Sequence, residues 1–383
     1  MLRSELFSVA AVLALLMPAG SGQVQQPLKR EGDGWVRTYT GSVPAAPRLR
    51  VNGHGPVSIE AGISNQISYS VKVTVPARTE AEARRLLARY PVHVSAAGEW
   101  VMLTTPAGRV FSTVTVRAPK LSGVEVSTTE GAVDVRGVDG PVQVDSAAGE
   151  LTADRIKGKC SLVTGGGAVK VGVVDGPLQC RTGAGTIAVK VARGETSLTT
   201  QGGDISADQI GGPLNAQTGG GGIRVGTVAG GVTASTGGGE IVIQKANGVV
   251  TAHNMAGPVQ VGAAAGVHCE SGTGGIRLSN IAGSMRVSTA MGSIFANLLG
   301  SKLADSTLAT GNGDITVLIP SNLHVTVRAE NDLADTMRRI VSDFPAIAVR
   351  MRGTHLVAEG PVNGGGPLLQ ISGTGGTIYL KRQ

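Results

Sequence analysis

Apolar and polar residues alternate along most of this chain, in short runs closed by glycine. After Gly167 come Ala168, Val169, Lys170 and Val171; after Gly176 come Pro177, Leu178, Gln179, Cys180, Arg181 and Thr182. A period of two is what a strand with one buried face produces. The glycines keep strict time. Gly131, Gly149, Gly167, Gly185, Gly203, Gly221, Gly239 and Gly257 are eighteen apart, and Gly140, Gly158, Gly176, Gly194, Gly212, Gly230, Gly248 and Gly266 fall nine residues out of phase. One period therefore holds two strands and two turns, the turns using glycine for positive φ. Nine residues are too few for a strand and a crossover helix. Each half must pair with the same half of the next period. The expected fold is all-β: a parallel β-solenoid with 18-residue coils of two 9-residue halves, ten of them between Ser122 and about Val317.

The inward columns follow from parity. The first half gives Val133/Val135, Leu151/Ala153, Val169/Val171, Ile187/Val189, Ile205/Ala207, Ile223/Val225 and Ile241/Ile243. The second gives Val142/Val144, Cys160/Leu162, Leu178/Cys180, Thr196/Leu198, Leu214/Ala216, Val232/Ala234 and Val250/Ala252. Small and β-branched residues suit two closely spaced sheets, and each buried Val or Leu contributes roughly 1.5–3 kcal/mol. A third, polar column runs Ser146, Thr164, Thr182, Thr200, Thr218, Thr236 and Asn254, then Ser271, Thr289 and Thr307 after a one-residue deletion near Ala263–Ala265. Hydroxyls stacked at a corner are expected to bond up the ladder and to turn backbone. Gly140-Pro141, Gly176-Pro177, Gly212-Pro213 and Gly257-Pro258 are placed at the starts of second-half strands.

The ends depart from the period. Residues 1–22 read as a signal peptide: Arg3, a short apolar run from Leu6 to Met17, then small residues to Gly22. Residues 23–120 form an N-terminal β-rich cap with one helix, 79–90, opened by a capping box at Thr79-Glu80-Ala81-Glu82 and ended by Pro91. This helix, with Trp35 or Trp100, is expected to cover the open end of the solenoid at 121–317. Residues 318–383 form a C-terminal cap, with a helical turn near Asp335–Val341, that returns to the solenoid pattern at Gly366–Ser372 and Gly375–Leu380.

Composition sharpens this. Of 383 residues 58 are glycine, and their periodicity means turns, not disorder. Net charge is +7, unchanged by loss of the leader with its one Arg and one Glu. Such a rod is drawn weakly to anionic envelope polymers. Three cysteines, Cys160, Cys180 and Cys269, fit packed free thiols better than a disulfide. No apolar stretch has the length of a transmembrane segment.

With these residues in view, the chain resembles the putative-adhesin domains of bacteria, a family of unknown function. The resemblance rests on the Thr79-Glu80-Ala81-Glu82 helix, the repeated Gly-x-Ile-x-Val strands, Ile340-Val-Ser-Asp-Phe-Pro345, Asn363-Gly-Gly-Gly-Pro367, and the closing Gly376-Thr-Ile-Tyr-Leu380. It implies an extracytoplasmic β-solenoid, and it brings no active site with it.

The search for chemistry finds little. No phosphate-binding Gly-x-x-x-x-Gly-Lys-Ser/Thr occurs, and the Asp column of calcium-binding nonapeptide repeats is missing; Asp204 and Asp314 stand alone. Asp154 and Asp208 share a strand position three coils apart, about 14 Å at ~4.8 Å per strand, beyond the separation of glycosidase carboxylates. His253 and Glu270 occupy one outward position in adjacent coils, with His268 diagonal; they are the candidate metal pair, although no metal is expected. The candidate binding residues are the flat, uncharged outward row of the second-half sheet: Gln143, Ser161, Gln179, Ser197, Asn215, Thr233 and Thr251. Either it is a solubilising ladder or it recognises a repetitive polymer, and its lack of aromatics speaks against sugar stacking. The expectation is a non-enzymatic, adhesin-like protein, periplasmic or secreted, binding or scaffolding at the cell envelope. It takes no cofactor and no nucleic acid, and its partner is an envelope polymer or an envelope protein. The alternatives are an envelope-stress accessory protein with a protein partner, or a polysaccharide-active β-helix enzyme.

Overall fold

The computed structural model describes residues 23–89, 91–105, 108, 110–299, 303–332 and 339–383. The leader and most of the turn expected near Asp335 lie outside them. The protein is a parallel β-solenoid of about eleven turns with coils of ~18 residues. First-half strands stack into one sheet (sheet 1) and second-half strands into the other (sheet 2). Register is uninterrupted through the middle. In sheet 1 Ile187 lies against Ile205 and Ile205 against Ile223; in sheet 2 Leu198 lies against Ala216 and Ala216 against Ala234. Every inward residue named from the sequence between Val133 and Val250 is buried. Helix Glu80–Arg89 turns Ala83 and Leu87 inward. Its start is fixed by the Glu82 N–H donating to Thr79 Oγ1 at 3.3 Å, while the Glu82 carboxylate accepts from the Arg78 N–H at 3.0 Å.

The polar corner column bonds to backbone and not hydroxyl to hydroxyl. Thr182 Oγ1 donates to the Gly167 carbonyl, at 2.8 Å, and accepts from the Gly185 N–H at 3.2 Å. Thr200 does the same with Gly185 and Gly203, and Thr218 with Gly203 and Gly221. Each hydroxyl thus ties its own turn to the turn of the coil before. Asn254 takes over this role with its amide, donating to Gly239 and Gly257. The shorter Ser271 hydroxyl is buried and finds no protein partner. The column then runs through Thr289 to Thr310, not Thr307, because the last coil is longer: Thr289 pairs with Thr310, while Thr307 faces out.

The glycines also work differently from expectation. Gly167, Gly185, Gly203, Gly221 and Gly239 do not have left-handed φ, whereas Gly131, Gly149 and Gly257 do. What the mid-rod glycines supply is room, since a Cβ on Gly167 would lie 1.7 Å from the Gly149 carbonyl oxygen. Stacked turns at strand spacing leave no space for a side chain there. Gly257-Pro258 is a second correction: it precedes Val259–Val261, which pairs with Ile241–Ala246 in sheet 1, so this pair opens a first-half strand.

Both ends of the rod are threaded out of sequence order. Arg48–Gly53 lies between Trp100–Thr104 and Gly123–Thr128, parallel to both, and Val57–Ala61 lies between Phe111–Ala118 and Val133–Arg136. At the far end Leu368–Gly373 lies between Ser306–Asn312 and Val325–Asp332, and Ile378–Arg382 lies between Ile315–Ile319 and Ile340–Ser342. Ile340 and Val341 are therefore strand and not helical turn. Antiparallel strands finish three of the outermost edges. Ile67–Val75 closes Phe111–Ala118, His93–Ala97 closes Trp100–Thr104, and His355–Val362 closes Val325–Asp332. A strand running the wrong way cannot continue a parallel coil, which blunts the edge.

Candidate functional site

Sheet 2 sets the candidate row in register, one residue per strand. Gln143 is the cross-strand partner of Ser161, Ser161 of Gln179, Gln179 of Ser197, Ser197 of Asn215, Asn215 of Thr233, and Thr233 of Thr251. All seven are exposed or half-buried. Gln143 Nε2 donates to Asp145 Oδ2 at 2.9 Å along its own strand. Among the described residues, the side chains of Ser161, Gln179, Ser197, Asn215, Thr233 and Thr251 make no hydrogen bond to protein. A self-bonded amide and hydroxyl ladder is thus not what the row forms. Its donors and acceptors point outward at intervals of about 4.8 Å.

Hollows open on the same face, and their positions follow from one further outward row, just ahead of these strands. Where that row is Pro213 and Gly231, the floor is low between Glu195 and Val249. The hollow there is about 240 Å³ and is lined also by Asn215, Thr233 and Thr251. A second hollow, of about 270 Å³, holds Gln143 and Ser161 together with Arg48, Trp100, Gly123, Pro141 and Lys159. The structure thus gathers five of the seven row residues into two hollows; Gln179 and Ser197 line neither.

Trp100 is the residue that sequence reasoning misplaced. It does not cover the open end. It stands on the outer face of sheet 2 as the cross-strand partner of Arg48. The Arg50 and Arg48 guanidinium carbons lie 4.8 and 5.5 Å from its ring centroid. The lack of aromatics noted for the row therefore does not hold at its amino-terminal end. The signal was weak, because Arg48 and Trp100 are joined by a pairing that does not follow the eighteen-residue period.

His253 and Glu270 do lie side by side in adjacent strands. His253 Nδ1 is 3.4 Å from Glu270 Oε2, and His268 Nε2 is 3.3 Å from Glu270 Oε1. One carboxylate is shared by two exposed imidazoles, beside a hollow of about 470 Å³ that also reaches Met255. No group of three or more His, Cys, Asp or Glu side chains among the described residues is placed to hold a metal ion. Of the other carboxylates singled out from the sequence, Asp208 is exposed and Asp154, Asp204 and Asp314 are engaged. Asp154 Oδ1 accepts from the Val173 N–H at 3.1 Å, and Gly172 leaves the space that this bond occupies, since a Cβ there would lie 2.0 Å from that oxygen. Asp204 accepts from Gly222 N–H and Asp314 from Thr377 N–H, so both brace turns. The three cysteines are free and buried. Burial pushes the Cys160 and Cys269 thiols up to about 12, and Cys180 well above its ordinary value.

No family model and no curated protein matches the sequence. Solved structures are similar along nearly the whole chain. One is described as a putative cell adhesion protein from Clostridium sporogenes, with 10% identity, covering 91% of this chain and 100% of its own, at a TM-score of 0.20. A putative adhesin from Bacteroides fragilis has 9% identity, covering 91% and 97%, at 0.23. A putative adhesin from Parabacteroides distasonis has 13% identity, covering 91% and 98%, at 0.28. Scores and identities of this size add nothing to the fold, which stands on the strand register. No helix among the described residues is long and apolar enough to cross a membrane.

Proposed function

We propose that the protein is a non-enzymatic, extracytoplasmic rod that binds or scaffolds a repetitive polymer of the bacterial cell envelope through the outer face of sheet 2. The carrying observation is the unbonded polar row. Six successive side chains, Ser161 to Thr251, hold neutral donors and acceptors in fixed register and use none of them on the protein. A polymer whose hydroxyls and amides recur along its length can meet such a row at several points at once, and weak single contacts then add through high effective concentration. Location outside the cytoplasm rests on the leader read at residues 1–22, and the +7 charge favours anionic envelope surfaces.

The test is co-sedimentation of the chain from Gln23 onward with isolated cell-wall and outer-membrane fractions across a salt series. Binding that persists at high salt and is lost in the Gln179→Ala/Asn215→Ala double variant is the expected result. Binding that disappears with salt and ignores those substitutions would leave only net charge, and the rod would then be a scaffold for a protein partner.

A further inference from the structure

Toward the amino-terminal cap, the polar face ends in the hollow of about 270 Å³. Its shape follows from five successive outward positions. Trp100, Arg48 and Gly123 are consecutive cross-strand partners, and the Pro141 and Lys159 backbones continue the same ladder through Val124 N–H to Pro141 O and Val142 N–H to Lys159 O. Gly123 and Pro141 keep the floor low. Arg48 with Trp100 stands on one side and Lys159 on the other, three strand spacings or about 14 Å apart. Gln143 and Ser161 line the hollow one row further along the strands.

The charges in this hollow are unevenly satisfied. Glu125, its one acidic lining residue, is neutralised by Arg50 at 2.6 Å. Arg48 reaches Glu99 only at 3.8 Å, between exposed groups, and Lys159 has no carboxylate partner among the described residues. Arg48 and Arg50 both stack on the Trp100 indole. A stacked guanidinium has already lost much of its rotamer freedom, and its N–H edge remains free to fork a carboxylate. The hollow therefore offers two cations with spare bonding capacity, held over a small uncharged floor beside an amide and a hydroxyl.

We propose that this hollow is a subsite for one carboxylate-bearing sugar residue, of the uronic acid class, within a glycan that continues along the row. Arg48 takes the carboxylate with its free N–H edge; Lys159, Gln143 and Ser161, on the far side of the floor, take ring hydroxyls. This rests on sheet 2 being the recognition face and adds the ligand's charge and the place where it is read.

The experiment is calorimetric titration of the chain from Gln23 onward with a short oligogalacturonate, and with a neutral cello-oligosaccharide of equal length, at low and moderate salt. Native-like circular dichroism of each variant confirms folding. The acidic oligomer should bind at least about tenfold more tightly than the neutral one. Lys159→Gln should weaken it by about tenfold, and Arg48→Lys, which keeps the charge but loses the fork, by a similar factor. Equal affinity for the two oligomers, no binding of either, or unchanged binding in Lys159→Gln and Arg48→Gln would overturn the subsite. The two proposals separate in the envelope-fraction assay. If the subsite alone is wrong, those variants still sediment while Gln179→Ala/Asn215→Ala does not. If the face is wrong, all of them sediment alike.

Discussion

Sheet 1 and sheet 2 are built from the same coils, yet their outer faces are chemically unlike. On sheet 1 charges are common and several are paired within the face: Asp134 with Arg136, Asp154 with Arg155, Lys170 with Glu150 and Arg224 with Glu240. Across the corresponding coils of sheet 2 the main row is neutral, and from Ser161 to Thr251 it is unbonded. Exposed ion pairs contribute little to stability, so sheet 1 gains mainly solubility from its charges. The row from Ser161 to Thr251 does neither job: its side chains carry no charge and brace no turn. The difference teaches that two faces under the same packing rule inside are free to diverge outside, and that the face whose bonding capacity is unspent is the one to test for a ligand.

The strongest way to break this comparison is to strike what both faces share. Ile205 is 1% exposed between the sheets, so Ile205→Asp leaves an unpaired charge in the core. It should cost several kcal/mol in urea unfolding, whereas Asp208→Asn, exposed on sheet 1, should stay within about 0.5 kcal/mol. Next comes the corner joining the faces. Thr200→Val keeps the shape but removes the bond to Gly185 O and orphans the Gly203 N–H, for an expected loss of about 1–3 kcal/mol. The third substitution separates the faces. Asn215→Lys should reduce binding to envelope fractions by about tenfold, while Ser206→Lys on sheet 1 should leave it unchanged and both proteins equally stable. Equal effects would mean that the two faces are interchangeable.

The smallest signal comes from the thiols, which all lie under sheet 2. Folded-state thiols raised to about 12 stay protonated at pH 8, so a thiol reagent should label none of them until the protein unfolds. The linkage sign agrees. The unfolded chain gives up these protons first, so the stability they contribute is full below the ordinary thiol range and falls as pH rises from there toward 12. Labelling of the native protein at pH 8 would show sheet 2 opening on its own.

Much of this was legible in the chain because two periods coincide. Alternation gave Ile205 its inward side, and the eighteen-residue repeat gave it Ile187 and Ile223 as neighbours. The same arithmetic put Gln179 beside Ser197 and His253 beside Glu270. What escaped it was whatever the period does not set. Thr310 replaced Thr307 because the last coil is longer than eighteen residues. Gly167 supplies clearance from Gly149 and not a left-handed φ, and that distance exists only once coils are stacked. The place of Trp100 on the outer face escapes the period because its partner Arg48 is fixed by threading and not by repetition. The hollow beside it needs Gly123 and Pro141 to be neighbours across strands, which depends on that same threading.

The threading has a mechanical meaning. The last strand, Ile378–Arg382, is clasped between Ile315–Ile319 and Ile340–Ser342 and does not lie at a free margin. A load applied at Gln383 first releases Arg382 and Lys381 from Ile319 and Leu318 and then meets a strand that is paired on both sides. Past Arg382 and Lys381, it must free Ile378–Leu380 from ladders on both sides, so a load at this strand would meet a latch where a simple helical winding would offer a loose thread.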